Sequence, residues 1–396
     1  MPGRHFLFVP GPTNVPDRVL RAMHRAQEDH RSSAFPELPR GLFADLKKIY
    51  GTTTGQTFIF PATGTAMWEA SLVNSLSPGD RVLACRFGQF SHLFIDCAER
   101  LGLRVDVIDL EWGEAAPPDR IGQLLATDTQ HDIKAVLIVH NETATGVTSD
   151  IGAIRAAMDA AKHPALLHVD GVSSIASLNF RFDDWKVDFA IAGSQKGFMM
   201  PAGLGLLCVS EKGLAMADSA KCPRVFFDLR DQAKQNALGS FPYTPALAHL
   251  FGLREALDML LEEGMETVIA RHHRLAEGVR RAVRAWGLEI CAHDPKTYSG
   301  TVTAVVVPEG KDAAKVIDIA FRRYNLALGG GLGRLAGKVF RIGHVGDLND
   351  LMLLGALSGV EMALNDAGIP VTLGSGVAAA QAWYQGSAAT LAPRGR

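Results

Sequence analysis

The feature that most constrains the fold is a regular alternation of short apolar runs and amphipathic segments between Thr57 and Ser210. Runs with the length and composition of buried strands occur at 57–60, 81–85, 104–110, 135–140, 165–169, 189–192 and 205–209. Amphipathic stretches of helical length lie between them, at 66–76, 90–101 and 151–162. Repeated strand–helix units form a mostly parallel sheet covered by helices on both faces. We therefore predict an α/β fold whose ligands bind beyond the carboxyl ends of the strands.

The pattern changes after Pro242, where the chain reads as long helices up to Trp286. Strand candidates at 301–307 and 338–342 then alternate with helix candidates at 312–324 and 350–365. From Gly374 the sequence is rich in Ala, Gly and Ser, which predicts a helix or a surface tail. We predict an N-terminal arm (1–20), a large α/β domain (21–245), a linking helix (246–265), a small α+β domain (266–373) and a C-terminal tail (374–396).

Composition excludes several classes of protein. The 396 residues include 40 basic and 42 acidic side chains, so the chain lacks the positive charge of an electrostatic nucleic-acid binder. With 47% hydrophobic residues it is globular and long enough for two or three domains. No apolar run reaches the roughly 18 residues of a membrane helix, and no signal peptide follows Met1, so we expect a cytoplasmic protein that binds no membrane. The five cysteines are widely spaced, which predicts neither a disulfide framework nor a metal site.

Three short motifs fall where an α/β sheet binds its ligand. Lys196, in Ser-Gln-Lys-Gly-Phe, follows one apolar strand, and Asp170 ends another. Thr63-Gly64-Thr65 lies between a strand and a helix, where backbone N–H groups and the helix dipole suit a phosphate. Pyridoxal 5'-phosphate requires these three groups: a lysine for the Schiff base, a carboxylate for the protonated pyridine nitrogen, and an anion site for the phosphate. Each motif is weak alone, but their order along one domain indicates this cofactor.

Longer motifs give a family resemblance that covers nearly the whole chain. They are Pro10–Pro16, Ala62–Thr65, His140–Gly146, His168–Ser174, Gly193–Gly197, Pro242–Pro245 and Gly337–His344. On these residues the chain resembles the class V, fold-type I aminotransferases of the alanine/serine–glyoxylate family. The resemblance implies a pyridoxal phosphate enzyme that transfers the amino group of a small L-amino acid to glyoxylate by a ping-pong mechanism. It also implies a homodimer, and leaves open whether two dimers form a tetramer.

The resemblance implies roles for individual residues around the cofactor. Lys196 matches the Schiff-base lysine, Asp170 the partner of the pyridine nitrogen, and Thr143 the residue that hydrogen-bonds the pyridine hydroxyl. Phe87 matches the aromatic residue that stacks on the ring, with a smaller face than the tryptophan of many relatives. The phosphate contacts fall on Thr63, Gly64, Thr65 and Gln195 and, from the neighbouring subunit, on Tyr243 and Thr244.

Substrate contacts follow from the same resemblance. Arg341 corresponds to the arginine that binds the α-carboxylate, which a guanidinium can do with two parallel hydrogen bonds. Pro10 and Gly11, in the first motif, are assigned to the substrate side of the site. Relatives divide between serine and aspartate as donors, and an aspartate side chain needs a second cation because an unpaired buried carboxylate is costly. Arg334 and Arg31 are the candidates for that cation. We favour serine as donor, with aspartate and alanine as alternatives.

Other classes of function fit the sequence less well. A cysteine desulfurase or related lyase carries a histidine before the lysine, where this chain has Gln195. A cofactor-binding regulator needs a DNA-binding segment, and the first 57 residues contain no helix-turn-helix. The glycine-rich run from Gly329 to Gly337 resembles a dinucleotide fingerprint but precedes a strand, so it is better explained by close backbone approach to a small substrate or by a flexible turn.

Several reactive residue types have a simpler interpretation. His140, His168 and His344 lie at strand ends, where local hydrogen bonds usually satisfy the ring nitrogens. His272 and His273 share a helix with Arg271 and Arg274, which predicts a solvated face rather than a metal site. Cys222 is interpreted as a structural thiol rather than a reactive one.

Overall fold

The structure is a computed structural model that describes residues 5–387. In chain order the strands are β1 (Phe6–Phe8), β2 (Gln56–Ala62), β3 (Arg81–Arg86), β4 (Arg104–Asp109), β5 (Ile133–Val139), β6 (Asn141–Glu142), β7 (Val147–Thr148), β8 (Leu166–Asp170), β9 (Phe189–Gly193), β10 (Gly203–Val209), β11 (Glu289–Ile290), β12 (Val302–Val306), β13 (Leu326–Gly330) and β14 (Val339–Gly343). The α-helices are α1 (Asp17–Met23), α2 (Glu37–Tyr50), α3 (Gly64–Val73), α4 (Gln89–Arg100), α5 (Pro118–Thr127), α6 (Ile151–Ala160), α7 (Glu211–Ala215), α8 (Leu229–Asn236), α9 (Leu247–Glu263), α10 (Met265–Ala285), α11 (Ala313–Tyr324), α12 (Asp350–Asp366) and α13 (Ser375–Ser387).

The larger sheet has seven strands in the order β2-β10-β9-β8-β5-β3-β4. The pairings from β9 to β4 are parallel, and β10 runs antiparallel to both of its neighbours. The predicted α/β fold with a mostly parallel sheet is therefore confirmed. The predicted strands and helices of this region end within three residues of the observed bounds.

Both faces of this sheet are covered, which explains the continuous apolar runs in its central strands. β8 and β9 are buried along their whole length. One face packs against α2, α6 and α9, and the other against α3 and α4. Because β5, β8 and β9 are parallel, their carboxyl ends meet at one edge. This arrangement brings Asp170, at the end of β8, close to the turn that follows β9.

The smaller sheet has the order β1-β13-β14-β12-β11. The predicted strands at 301–307 and 338–342 are confirmed as β12 and β14, and the predicted helices at 312–324 and 350–365 as α11 and α12. The N-terminal segment contributes β1, which pairs in parallel with β13. The segment predicted as an arm therefore contributes a strand to the smaller sheet. The chain then continues from this strand into the domain of the larger sheet. Among residues 5–387, no helix combines the length and apolarity needed to span a bilayer.

The C-terminal segment forms a packed helix over most of its described length. α13 lies against α10, where the hydroxyl of Tyr384 donates to Leu275 O and the indole of Trp383 donates to Arg274 O. The predicted tail therefore includes a helix, and its residues 388–396 lie outside the described part of the chain.

The burial of side chains on α10 contradicts the prediction made for the residues from Arg271 to Arg274. The expected solvated face is wrong for three of its four residues, because Arg271, His272 and Arg274 are buried. The two arginines pair with Glu263 and Asp350, each at 2.6 Å, and the Nε2 of His272 accepts from a backbone N–H.

Candidate active site

A cavity of about 250 Å³, partly open to solvent, lies at the carboxyl edge of the larger sheet. It is lined by Gly11, Pro12, Gly64, Thr65, Trp68, Phe90, Asn141, Thr143, Asp170, Val172, Ser173, Gln195, Lys196 and Ala202. The loops after β5, β8 and β9 and the start of α3 supply most of these residues. The three motifs singled out in the sequence therefore meet in one cavity.

Lys196 is the cationic side chain of this lining. Its ammonium group donates to Pro10 O, and its aliphatic stem passes directly over Gly11. A Cβ at position 11 would lie 2.4 Å from Lys196 Cδ, and the φ of +115° also disfavours any other residue there. Burial and, after it, the nearby positive charge of Arg341 lower the pKa of Lys196 to about 8, against the opposite effects of Asp170 and Glu142. Part of the Lys196 amine is therefore neutral at physiological pH, and the neutral form is the one in which a lysine is a nucleophile.

Asp170 faces the cavity from the end of β8. Its Oδ1 accepts from Val172 N at 2.8 Å, and its Oδ2 accepts from the indole Nε1 of Trp68 at 3.0 Å. Burial raises the pKa of this carboxyl to about 6, while the two hydrogen bonds and the charge of Lys196 favour the ionised form. A buried carboxylate with free lone pairs toward a cavity suits a protonated ring nitrogen.

The N-terminus of α3 is open to an anion. The helix begins at Gly64, and the side chain of its N-cap residue, Thr63, makes no capping hydrogen bond. A Cβ on Gly64 would lie 2.5 Å from Val172 Cγ2, so glycine lets the backbone approach the cavity wall closely. The buried Oε1 of Gln195 has no hydrogen-bond partner. The backbone N–H groups at this helix start are the donors that a phosphate requires, whereas an amide oxygen such as Oε1 can only accept.

Arg341 lies on β14, at the boundary between the smaller sheet and the cavity. Its Nε donates to Gly330 O at 2.7 Å and its Nη1 to Thr143 O at 3.1 Å. These bonds fix the guanidinium and leave three of its five N–H groups for another ligand. Burial lowers the pKa of Arg341 to about 10, so the side chain is still positively charged at neutral pH. Gly329 packs against this arginine and against Pro10, so glycine here allows close packing between protein segments, and approach of the glycine-rich run to a substrate stays a prediction.

One assigned residue is not among those that line the cavity. Phe87 is fully buried among apolar residues of the core, and its role in stacking on the cofactor ring stays a prediction. Phe90, at the start of α4, lines the cavity. Phe87 follows directly on β3, and its side chain packs among the residues beneath the sheet.

Four further candidates lie away from this lining within the described chain. Tyr243 and Thr244 line a separate groove, and the ring of Tyr243 stacks on Phe226 at 5.2 Å. Arg31 and Arg334 are exposed, and the Arg334 guanidinium lies 5.9 Å from the centre of the Trp112 ring. The protomer alone therefore does not bring these four residues to Lys196.

Two residues of the site were not identified from the sequence. Trp68 binds Asp170, as described above. Glu142 is fully buried and accepts hydrogen bonds from Ser91 N at 2.9 Å and Phe90 N at 3.0 Å, which fixes the start of α4 beside the cavity. Burial raises the pKa of Glu142 to about 7. The sequence signal for Trp68 is its position one helical turn after Gly64, on the same helix face.

The simpler interpretation of three histidines is confirmed. Local hydrogen bonds join the Nδ1 of His140 to Ser174, both ring nitrogens of His168 to Ser71 and Ser75, and both ring nitrogens of His344 to Thr303 and Gly300. Cys222 is buried, which raises the pKa of its thiol and favours the structural interpretation.

Comparison with known proteins adds an independent line of information. The family model described as "Aminotransferase class-V" matches residues 5–332. The serine–glyoxylate aminotransferase of Methylorubrum extorquens is 62% identical over 389 residues, covering 97% of both chains. The L-aspartate–glyoxylate aminotransferase of Paracoccus denitrificans is 50% identical over 385 residues, again covering 97% of both. The crystal structure of ureidoglycine–glyoxylate aminotransferase from Bacillus subtilis matches with a TM-score of 0.91 at 29% identity, covering 97% of this chain and 99% of that one.

Proposed function

The chain belongs to the class V aminotransferase family, and on that premise we propose that it transfers the amino group of L-serine to glyoxylate. The cofactor of this proposal is pyridoxal 5'-phosphate, and the products are glycine and the 2-oxo acid of serine. The observation that carries the proposal is the meeting of Lys196, Asp170 and the uncapped start of α3 in one cavity. No two of these groups are neighbours in the sequence.

The residues present fit this cofactor at each of its polar ends. The N–H groups of Gly64 and Thr65 and the Nε2 amide group of Gln195 would hold the phosphate, and Asp170 would hold the ring nitrogen. Lys196 is the residue to which the cofactor would be linked. Once bound, the cofactor supplies an electron sink that stabilises negative charge at the substrate Cα.

The protein's own groups then position the substrate and move its protons. Arg341 binds the α-carboxylate through the N–H groups that Gly330 and Thr143 leave free. This contact fixes the Cα–H bond relative to Lys196. The Nζ of Lys196, with its lowered pKa, takes up the Cα proton as a general base. It then acts as a general acid and donates the proton to a different atom.

Serine is favoured as donor by the charge of the cavity. Among the described residues that line it, Lys196 is the sole cation, and Arg31 and Arg334 are exposed elsewhere on the protomer. Aspartate would bring a second carboxylate with no evident cationic partner, whereas the hydroxyl of serine needs only a neutral hydrogen-bonding group. The relative of Methylorubrum extorquens, with its higher identity, is named for serine, and the one of Paracoccus denitrificans for aspartate.

The test is a comparison of kcat/KM with glyoxylate for L-serine, L-alanine and L-aspartate. We expect serine to exceed aspartate by at least tenfold, a difference of about 1.4 kcal/mol in transition-state binding. The same measurement on Arg334→Ala and Arg31→Ala serves as the control for a second cation. Aspartate exceeding serine tenfold, with loss of that preference in one arginine variant, would replace serine by aspartate and identify the side-chain partner.

A homodimer with shared sites is the second part of the proposal. The groove at Tyr243 and Thr244 is lined in part by Phe226, which is 36% exposed, and Val225, the residue before it in the chain, is 75% exposed. Such a patch is typical of a surface that a second copy covers. We expect Tyr243 and Thr244 of one subunit to reach the phosphate bound by the other.

Mixing two inactive variants tests this arrangement. Lys196→Ala and the double variant Tyr243→Phe/Thr244→Ala should regain part of the activity when their subunits exchange, because each hybrid dimer contains one intact site. An active monomer in sedimentation, or mixtures that stay inactive despite exchange, would contradict the shared site.

A cytoplasmic location completes the proposal. All five cysteines are free thiols, which is typical of a reducing compartment. Fractionation of the producing cells should recover the activity with cytoplasmic markers, and recovery from an exported fraction would contradict it.

A further inference from the structure

We propose that Trp68 is a positioning residue for Asp170, whose carboxylate it holds toward the cavity through the indole N–H. The inference rests on the proposed function, since it concerns the carboxylate that would bind the cofactor's ring nitrogen. Trp68 Nε1 donates to Asp170 Oδ2 at 3.0 Å, and Trp68 itself lines the cavity.

The position of Trp68 on α3 gives this contact its significance. Gly64, at the start of the helix, and Trp68 are four residues apart and share one helix face. The helix rises by about 6 Å over four residues. One rigid element therefore presents its N-terminal N–H groups to the phosphate site and its indole to the carboxylate. α3 thereby sets the spacing between the two ends of the cofactor site.

The indole is itself held in one orientation. Trp68 is only 3% exposed, and its ring stacks on Phe94 with centroids 5.4 Å apart and planes inclined by 20°. The other described donor to the Asp170 carboxylate is Val172 N, which binds Oδ1. Each carboxylate oxygen thus has one fixed donor, and its remaining lone pairs face the cavity. Loss of the indole donor would free Oδ2 to rotate and would disfavour the ionised carboxylate, which burial already disfavours.

The test is a double-mutant cycle on ligand binding that needs no turnover. The probe is pyridoxamine 5'-phosphate, which carries the same ring and phosphate but has no aldehyde to react with Lys196. Its Kd is measured on cofactor-free wild type, Trp68→Phe, Asp170→Asn and the double variant. Phenylalanine keeps an aromatic ring against Phe94 but has no N–H. Trp185→Phe is the matched control, since Trp185 packs on Phe180 outside the cavity lining.

We expect Trp68→Phe to weaken binding on the order of tenfold, which corresponds to about 1.4 kcal/mol. In the Asp170→Asn background, Trp68→Phe should raise the Kd of the probe less than twofold. Trp185→Phe should leave the Kd unchanged. Equal losses in both backgrounds would mean that Trp68 only packs against the ligand, and no loss in either would mean that the contact is without effect. Both outcomes overturn the proposal while leaving the aminotransferase function intact. Failure of the wild type to bind the probe would overturn the two together.

A second measurement does not depend on substituting Trp68. The chain has five tryptophans, so an ¹⁵N-labelled protein gives few indole N–H signals. In Asp170→Asn we expect one of these to move upfield and to exchange faster with solvent, because its acceptor has lost the negative charge. Indole signals that are all unchanged would contradict the hydrogen bond.

Discussion

Replacing Arg341 with lysine should reduce kcat/KM for L-serine and for glyoxylate by a common factor. Both substrates carry a carboxylate next to the reacting carbon, so both would use the same guanidinium. Nε and Nη1 are engaged with Gly330 O and Thr143 O, which leaves three N–H groups for a pair of parallel bonds to the carboxylate. Lysine keeps the positive charge but cannot form the pair.

The size of the loss follows from one hydrogen bond to a charged group. Such a bond contributes about 1.5–3 kcal/mol, which converts to roughly a 10- to 150-fold reduction in kcat/KM. The two backbone carbonyls also lose their donor, and each buried group left unpaired costs about 1–3 kcal/mol of folding stability. We therefore expect a lower melting temperature together with the kinetic loss.

Steady-state kinetics with each substrate varied in turn measures the effect, and the Kd of the cofactor provides the control. That Kd should change little, because Lys196 and Asp170 are untouched. Arg334→Lys is the matched variant, since Arg334 is exposed, and it should behave like the wild type. A loss confined to serine with glyoxylate unaffected, or the same loss in Arg334→Lys, would refute the assignment.

Three shorter predictions concern Lys196. Because its pKa is lowered to about 8, the rate at which the cofactor-free protein captures pyridoxal phosphate should rise with pH and level off above pH 8. Arg341→Gln should move the midpoint of this pH–rate curve upward, because it removes a positive charge. A midpoint near the ordinary lysine value of about 10.4 in the wild type would contradict this prediction. Gly11→Ala should abolish most cofactor incorporation, because its Cβ would lie 2.4 Å from Lys196 Cδ. The control is Gly287→Ala, at φ +72° with no atom within 4 Å of the added Cβ, which should cost only about 1–2 kcal/mol of stability. Equal incorporation in the two variants would show that the contact between Gly11 and Lys196 is unimportant. Borohydride reduction followed by peptide mapping should find the pyridoxyl group on Lys196, and its recovery on another lysine would exclude the assignment.

Most of the larger sheet could be predicted because its strands are buried on both faces. A run such as Ile133–Val139 is apolar at nearly every position, and a helix such as Gln89–Arg100 is clearly amphipathic. β1 could not be found in the same way. It has three residues, and its partner β13 lies more than 300 positions away, so its pairing depends on a contact that no local pattern reports.

The cofactor side of the site was predictable for a related reason. Residues at the carboxyl ends of parallel strands meet at one edge, so the positions of Asp170 and Lys196 along the chain were sufficient to bring them together. The contribution of Phe90 to the cavity lining was not predictable, because Phe87 and Phe90 are three residues apart and both apolar. Only the turn between β3 and α4 decides that Phe87 packs in the core and that Phe90 lines the cavity. Burial of Arg274 was missed because the helix that contacts it, α13, has a low-complexity sequence without a clear amphipathic pattern.

The most direct test of the central claim separates the two halves of the reaction. The cofactor-loaded protein is incubated with L-serine in the absence of glyoxylate, freed of amino acid, and then given glyoxylate alone. We predict one equivalent of hydroxypyruvate per active site in the first step and one equivalent of glycine in the second, since the amino group stays on the enzyme in between. Release of no oxo acid until both substrates are present, or release from L-aspartate but not from L-serine, would contradict the account.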